Sequence, residues 1–375
     1  MPKSYDRTLS RSRPTIVDLF CGAGGFSLGA HLAGFETVVA ADIDHDLTSR
    51  FNQNFPRANL INVDLLEVSS ENLGTSGRGR IAGVIGGPPC QGFSGIGRKI
   101  ADDPRNELVV RFFELVAEIK PMFFVMENVP MLGAEQHSEL LQSAIARLPS
   151  IYEVLPAMCL NAGDFGAATG RSRLILLGFD PTCTDAVTSA DFEPNRNGRT
   201  VTVKDAISDI PEPTAESELH SLPYRATAAV SSYAQALRRL PPRDLGSFNS
   251  RTRYKQGVVT GNAATKHTAL VRSRFRALPQ GKRDPISRYP RLSWDRPSPV
   301  LLAGTGRDRG SYQAARPVHP DEPRVISVRE AARLQGFPDW FEFSNTKWHS
   351  HRMIGNSVSP VFASAIMSVF RTKTE

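Results

Sequence analysis

Apolar and polar residues alternate in blocks along the first half of the chain, and the blocks predict a succession of strands and helices. Apolar runs bounded by glycine or proline predict strands at TIVDLF (15–20), ETVVAAD (36–42), IAGVIGG (81–87) and MFFVMENV (122–129). Apolar residues at helical spacing predict helices in FSLGAHLAGF (26–35) and between Pro104 and Pro121. YEVLPAMCL (152–160) and RLILLGF (173–179) predict a last strand pair. This order indicates an open α/β sheet that binds ligands at the carboxyl ends of its strands.

The pattern weakens after Phe179 and returns only near residue 326, which predicts three parts after a flexible basic tail at 1–14. We expect an α/β domain at 15–180, a separate irregular module at 181–325, and a C-terminal segment at 326–375 that packs back on the α/β domain. In that last segment, Ser327 and Glu330 form the pattern of a capping box. Ser359 is placed to cap a final helix whose apolar stripe needs a partner surface.

Charge is distributed unevenly, although the net charge is only +7. Residues 238–316 contain 18 lysines and arginines against four acidic residues, whereas the rest of the chain has a net charge of −7. Such asymmetry favours a polyanionic partner over a merely solvated basic surface.

Neither the apolar runs nor the cysteines suggest export. No run of 18 apolar residues occurs, and the N-terminal residues have no apolar stretch behind their charges, so we expect a cytoplasmic protein. The four cysteines, at 21, 90, 159 and 183, lack paired spacing, which disfavours both disulfides and a zinc site.

The stretch DLFCGAGG (18–25) predicts a glycine turn between the first strand and its helix. Gly22, Gly24 and Gly25 would let a ligand approach the backbone, and Asp42, at the end of the next strand, could accept both hydroxyls of a ribose. Ser27 stands where the dinucleotide fingerprint requires its third glycine. The turn therefore predicts a nucleoside-containing cofactor without requiring a pyrophosphate.

The stretch GGPPCQGFS (86–94) displays a cysteine after two glycines and two prolines, where no regular element can form. Cys90 would thus lie on a loop at the end of a strand and could act as a nucleophile towards an electrophilic carbon. Glu127 ends the next strand at the same edge and could supply the acid, oriented by Asn128. Phe93 occupies the position where a zinc deaminase needs its second cysteine, so we expect no metal.

Six stretches taken together, in the order DLFCGAGGFSLG, GGPPCQGFS, MENVP, RSRLILLG, REAARLQGFP and GNSVSP, closely resemble the C5-cytosine DNA methyltransferases. They cover residues 15–180 and about 291–371. The resemblance implies the Rossmann-like mixed sheet of S-adenosylmethionine-dependent methyltransferases, flanked by helices. It also implies a smaller irregular target-recognition domain in the unmatched middle.

The resemblance also implies roles for individual residues. Cys90 would attack C6 of a cytosine, Glu127 would hold and protonate N3, and Arg171 and Arg173 would contact the base and its surroundings. Thr169 stands where the family commonly has glutamine. S-adenosylmethionine would be held by residues from several stretches: Phe20, Gly22, Ala23, Gly24, Gly25, Asp42, Ile43, Asp64, Pro89, Leu108, Asn356 and Ser357. We expect DNA contacts from polar and basic residues of the loop and the middle segment: Gln91, Ser94, Arg251, Arg253, Arg274 and Arg276.

The leading hypothesis is a DNA (cytosine-5)-methyltransferase of bacterial restriction-modification type that flips its target base out of duplex DNA. It would act as a cytoplasmic, nucleoid-associated monomer, independently of any cognate endonuclease. Three alternatives stay open: a cytosine-5 methyltransferase acting on structured RNA, a non-catalytic DNA-binding relative and, more distantly, a nicotinamide oxidoreductase. The intact Cys90 and Glu127 disfavour the second, since a pure binder needs neither, and Ser27 disfavours the third.

Overall fold

A mixed sheet of eight strands forms the centre of the molecule. In the computed structural model, which describes residues 13–75, 79–89, 106–193, 199–213, 221–225, 229–304 and 316–374, its order is β3-β2-β1-β4-β5-β8-β6, and β7 also pairs with β8. The strands are β1 (Thr15–Leu19), β2 (Glu36–Asp42), β3 (Asn59–Asn62), β4 (Gly83–Gly86), β5 (Phe123–Asn128), β6 (Glu153–Val154), β7 (Met158–Asn161) and β8 (Ser172–Phe179).

Strands β1 to β5 run parallel, whereas β8 is antiparallel to β5, β6 and β7. The predicted fold class, a Rossmann-like mixed sheet flanked by helices, is confirmed. Because β1, β4 and β5 are parallel neighbours, their carboxyl ends lie side by side at one edge. The glycine turn, the chain leading to Cys90 and the end of β5 therefore meet at that edge.

Helices cover both faces of the sheet. Those of the first part are α1 (Gly25–Leu32), α2 (His45–Thr48), α3 (Phe51–Asn54), α4 (Asn106–Ile119) and α5 (Ser138–Ile145). Alternate strand residues point to opposite faces, so Val17 packs in a cluster with residues of α4, while Ile16 packs in a cluster with residues of α1 and of the C-terminal helix.

The middle of the chain contains more regular structure than we predicted. It forms α6 (Val203–Ile207), α7 (Ser232–Leu237), α8 (Phe248–Gln256) and α9 (Ala269–Ala277), and the short strands β9 (Ser221–Pro223) and β10 (Val258–Thr260) form an antiparallel pair. Val203 and Ile207 of α6 lie in the same buried cluster as Leu28 of α1. The domain boundary at residue 180 stays a prediction, and α6 packs against the first part of the chain.

The C-terminal part forms α10 (Val328–Gln335), α11 (Lys347–Asn356) and α12 (Pro360–Lys373). The predicted capping box of Ser327 and Glu330 is present, with Glu330 Oε2 accepting from the backbone N–H of Ser327 at 2.6 Å. Ser359 does precede α12, but its side chain makes no capping hydrogen bond. Residues 347–373 have the length and apolar character of a membrane span, yet two-thirds of their most apolar window is buried in the fold.

Helix α12 packs on the sheet, as we predicted from its apolar stripe. Phe370 stacks on Phe123 of β5 with ring centroids 4.1 Å apart and planes 11° from parallel. Gly29 of α1 faces Ala363 so closely that an added Cβ would overlap the alanine methyl. The first and last helices, α1 and α12, therefore pack against each other on the same face of the sheet.

Candidate active site

The glycine turn after β1 is strained and open on one side. Phe20 and Gly22 have φ angles of 61° and 50°, in the left-handed region. For Phe20 this conformation costs on the order of 1–3 kcal/mol, so the surrounding structure must enforce it. A Cβ added at Gly22 would meet no atom within 4 Å. The space above Gly22 is thus available to a ligand.

The other glycines of the turn serve packing. A Cβ on Gly24 would overlap the ring of Phe55, and one on Gly25 would overlap the carbonyl oxygen of Val358. The same Cβ on Gly25 would stand 3.0 Å from Ser357 Cβ. From the sequence we assigned all three glycines one role, whereas the structure separates the open position from the two packed ones.

Asp42 ties the glycine turn to the end of β2. Its Oδ2 accepts from the backbone N–H of Gly22 and its Oδ1 from that of Asp44, both at 2.8 Å. Burial raises the pKa of this carboxyl, and the two backbone donors oppose that rise. Each oxygen keeps a further lone pair for another donor. The predicted role towards a ribose is compatible with this geometry and stays a prediction.

Two further predicted cofactor residues border the same edge. Ile43 is 62% exposed, which is unusual for a large apolar side chain that follows a buried strand. Asp64 Oδ1 accepts from the backbone N–H of Leu66 at 3.0 Å. An exposed apolar side chain and a fixed acidic turn would suit the flat face and the polar edge of a nucleobase.

The C-terminal segment completes this half of the site. Ser357 is buried against Gly25, and Gln335 Nε2 donates to its carbonyl at 2.7 Å. Asn356 beside it is exposed, and Pro89 and Leu108 are half-buried. Ser357 and Gly25, more than 300 positions apart in the chain, thus lie at one turn, and the cofactor roles of these residues stay predictions.

Glu127 lies near the end of β5 and is buried, with 8% of the residue exposed. Its Oε2 lies 3.3 Å from the position of a Cβ on Gly87. Asn128 Nδ2 donates at 3.1 Å to the carbonyl of Pro88, two residues before Cys90. Our prediction that Asn128 orients Glu127 is therefore wrong, because the hydrogen bond of that amide fixes the approach to Cys90.

Cys90 itself, with Gln91 and Ser94, lies outside the described residues. What the structure does describe is the chain up to Pro89, anchored beside Glu127. The predicted roles of Cys90, Gln91 and Ser94 stay predictions.

Arg173 provides the counter-charge of Glu127. Its Nε lies 2.8 Å from Glu127 Oε1, but the N–H direction does not form a hydrogen bond, and that oxygen has no hydrogen-bond partner among the described residues. The pair is therefore held by charge, while Oε1 has unused acceptor capacity. A buried carboxylate with a free acceptor is suited to receive a donor from a substrate.

Arg171 occupies a more interior place than its predicted contact with a base suggests. It is 5% exposed, and its Nη1 donates to the carbonyls of Gly355 at 2.8 Å and Leu301 at 3.3 Å. Burial, reinforced by the nearby Arg173, lowers its pKa to about 9. The nearby Thr169 is also buried and donates to the carbonyl of Pro299 at 3.3 Å. Both residues tie the chain just before β8 to residues 299–301 of the middle module, and Arg171 also ties it to α11.

Three of the four arginines predicted to contact DNA have internal partners. Arg251 donates to the carbonyls of Pro241, Pro242 and Leu245, so its guanidinium supports a loop. Arg253 pairs with Glu342 at 2.6 Å and Arg274 with Asp284 at 2.7 Å. Arg276 is exposed. The structure thus assigns Arg251 an internal role that its charge did not reveal.

Asp18, a fully buried carboxyl beneath the glycine turn, was not among the predicted site residues. Its Oδ2 accepts from Ser27 Oγ at 2.5 Å and from the Ser27 backbone N–H at 3.2 Å. Burial raises its pKa to about 7. An acid inside the otherwise apolar run TIVDLF was the available signal, because a buried carboxyl needs a specific partner. No cluster of side chains that could hold a metal occurs among the described residues.

Comparisons with known proteins agree with this geometry. The family of C-5 cytosine-specific DNA methylases matches residues 14–371. The chain is 40% identical to the type II methyltransferase M.XorII of Xanthomonas oryzae over 97% of its length and 87% of the relative. It is 32% identical to the type II methyltransferase M1.HphI of Haemophilus parahaemolyticus, covering 94% of the chain and 85% of the relative.

Solved structures show the same fold. A prophage-encoded protein of Escherichia coli assigned as a DNA modification methyltransferase superposes with a TM-score of 0.84 at 36% identity, over 96% of this chain and 99% of the other. The Dnmt2 methyltransferase of Schizosaccharomyces pombe gives a TM-score of 0.63 at 17% identity, over 96% and 98% of the two chains, which supports the fold alone. The chain therefore belongs to the family of C-5 cytosine-specific DNA methylases.

Proposed function

We propose that this enzyme transfers a methyl group from S-adenosylmethionine to C5 of a cytosine flipped out of a specific duplex DNA sequence, through a covalent bond between Cys90 and C6. The observation that carries the proposal is the edge at which Glu127, the anchored approach to Cys90 and the open glycine turn lie side by side. The relatives named as type II methyltransferases support a restriction-modification role.

The residues at the glycine turn fit the cofactor. Gly22 leaves room for its amino acid part, Asp42 has acceptor capacity for the ribose, and Ile43 exposes an apolar face for the adenine. When bound, S-adenosylmethionine would supply an electrophilic methyl group on a sulfonium. Phe20, Ala23, Gly24, Gly25, Asp64, Pro89, Leu108, Asn356 and Ser357 complete the proposed cofactor site.

The role of Cys90 follows from the chemistry of cytosine, because C5 is too weak a nucleophile to take a methyl group directly. Its thiolate adds to C6, forming a C–S bond, while Glu127 hydrogen-bonds N3 and delivers a proton there. The electron pair released towards C5 makes that carbon nucleophilic enough to be methylated. Transfer of the C5 proton to solvent then restores the C5–C6 double bond and expels the Cys90 thiolate as the C–S bond breaks, and the N3 proton returns to Glu127.

Arg173 would keep Glu127 in place and contact the base, whereas Arg171 would act through the segments that it joins. C5 and C6 are stacked inside a duplex, so the target base must leave the helix, which costs a few kcal/mol. Contacts between basic residues and DNA phosphates offset that cost. Duplex DNA is the proposed partner of the basic middle segment, with the enzyme acting as a monomer in the cytoplasm and any cognate endonuclease acting separately.

The test is transfer of tritium-labelled methyl groups to duplex DNA and, in parallel, to structured RNA. We expect label in DNA, and Cys90→Ser should abolish turnover while DNA affinity stays within a few-fold of wild type, because thiolate nucleophilicity is what the substitution removes. Label in RNA alone, or turnover by Cys90→Ser near the wild-type rate, would contradict the proposal. Bisulfite sequencing of DNA from expressing cells would identify the target site.

A further inference from the structure

A cluster of cationic side chains outside the site lacks acidic partners among the residues that the structure describes. Arg316 Nη1 donates to Thr265 Oγ1 at 3.3 Å, and Lys347 Nζ donates to the carbonyl of Ala264 at 2.6 Å. Lys266 follows these contacts directly in the chain and is exposed. Arg316 and Lys347 thus contact the two residues that precede Lys266, which brings three cations together. We call Arg316, Lys347 and Lys266 the basic cluster.

The basic cluster is uncompensated in the described part of the chain. Neither Arg316 nor Lys347 lies within ion-pair distance of a described carboxylate, and Arg316 Nε is buried without a hydrogen-bond partner. The neighbouring acid Glu330 is already paired with Arg324 at 2.8 Å. Half-buried cations without counter-charges are costly, since their desolvation is not repaid.

The surroundings confirm a net positive potential. Burial lowers the pKa of Lys347, and repulsion from Arg316 and Lys266 lowers it further. His267 has a pKa lowered by burial and then by Arg316, and its Nε2 accepts from the backbone N–H of Val325 at 3.3 Å, so this imidazole is neutral. The histidine therefore adds no charge, and the potential comes from the arginines and lysines.

The position of Lys347 is also unfavourable for the stability of α11. It is the first residue of α11, where the helix dipole disfavours a cation by roughly 0.3–1 kcal/mol and favours an anion. Its side chain also borders a cleft of about 330 Å³, where Arg253 is already paired with Glu342. Local charge and the helix dipole therefore both favour an anion beside Lys347.

We infer that the basic cluster binds backbone phosphates of the duplex DNA substrate and contributes affinity without reading sequence. The inference rests on the proposed function for its substrate class. A phosphodiester is the anion that such an enzyme meets in every complex, and it would supply the counter-charge that no described carboxylate gives to Arg316 and Lys347. Contacts of this kind position a protein on DNA without distinguishing bases.

The test measures duplex DNA affinity as a function of potassium chloride for wild type, Arg316→Gln and the double variant Arg316→Gln with Lys347→Gln. Removing one cation that binds a phosphate should reduce the slope of log K against log salt by about 0.9. We expect a slope smaller by about 1 to 2 in the double variant, about tenfold weaker binding at 0.1 M salt, and an unchanged preference between target and non-target duplexes.

Arg80→Gln is the matched control, because it removes the same charge from an arginine that pairs with Asp180 at 3.1 Å and precedes β4 at the opposite edge of the sheet. Arg316→Lys keeps the charge and should keep the wild-type slope, which separates phosphate binding from a folding defect. Unchanged slopes in both the single and the double glutamine variant would overturn the inference. So would an equal decrease of the slope in Arg80→Gln, or a change of slope with structured RNA and none with duplex DNA. Methylation by wild type reports on the proposed function separately.

Discussion

Gly22 and Gly25 lie three residues apart in the glycine turn, and alanine at each should have a different effect. At Gly22 the added methyl group meets no protein atom within 4 Å, so its cost to folding is that of a left-handed alanine at φ 50°, about 1–2 kcal/mol. At Gly25 it would overlap the Val358 carbonyl and press on Ser357. Such overpacking costs about 1–3 kcal/mol and shifts the C-terminal segment.

The effects on cofactor binding should diverge more than the stabilities. The Gly22→Ala methyl group would occupy the space proposed for the amino acid part of the cofactor, so we expect affinity to fall at least tenfold, or about 1.4 kcal/mol. Urea unfolding gives the stabilities, and isothermal titration with S-adenosylhomocysteine gives the affinities. Gly25→Ala should lower both quantities, because Ser357 moves with the backbone that the methyl group displaces.

Gly257→Ala provides the matched control. Gly257 has a φ of 65° with no atom within 4 Å of its Cβ position, and it ends α8, away from the glycine turn. It should lose about as much stability as Gly22→Ala and bind the cofactor normally. Wild-type affinity in Gly22→Ala, or an equal loss of affinity in Gly257→Ala, would refute the placement of the cofactor above Gly22.

Three further substitutions test other contacts. Glu127→Gln keeps the shape but removes the acid, so single-turnover methylation should slow at least about 100-fold at saturating DNA; a rate within tenfold of wild type would exclude the role. Arg333→Met removes the shared cation of two buried carboxylates, although Asp209 keeps Arg238 and Asp339 keeps the hydroxyl of Tyr224. The loss should cost about 3 kcal/mol of unfolding free energy, the lower end for a broken buried pair, whereas a cost below about 1 kcal/mol would show that the network contributes little. Asp18 holds its proton up to a pKa of about 7, so its contribution to stability is largest at low pH and is lost as pH rises towards 7. Urea unfolding of Asp18→Asn between pH 5 and 8 should lack that decline, and parallel curves for variant and wild type would disprove it.

The strands were predictable because burial on both faces makes them continuous apolar runs. β1, β2, β4, β5 and β8 all lie in the runs that the sequence predicted. β3 (Asn59–Asn62) was missed because it is an edge strand whose outer residues are exposed. In the middle, α8 has no apolar stripe, and only Ser247 and Gly257, which cap it, mark its ends in the sequence.

Side-chain partners could not be read from the sequence in the same way. The carboxylate that Arg333 binds at Asp209 lies 124 positions away, so a fully buried arginine looked like a solvated one. From the sequence we expected Asn128 to orient Glu127. Consecutive residues of a strand point to opposite faces, so the two side chains do not meet. Strand ends predict which residues share an edge, and only the folded backbone decides which atoms meet.

Arg171 shows how the two halves of the proposed site are coupled. It follows the last loop before β8, two residues ahead of Arg173, which pairs with Glu127 on the substrate side. Its Nη1 donates to the carbonyl of Gly355, two residues before Ser357, which packs against Gly25 on the cofactor side. A shift of the C-terminal segment would therefore reach both Glu127 and the glycine turn. Because methyl transfer needs the acceptor carbon and the donor in line at close range, a buried arginine fixed to both sides preserves that alignment.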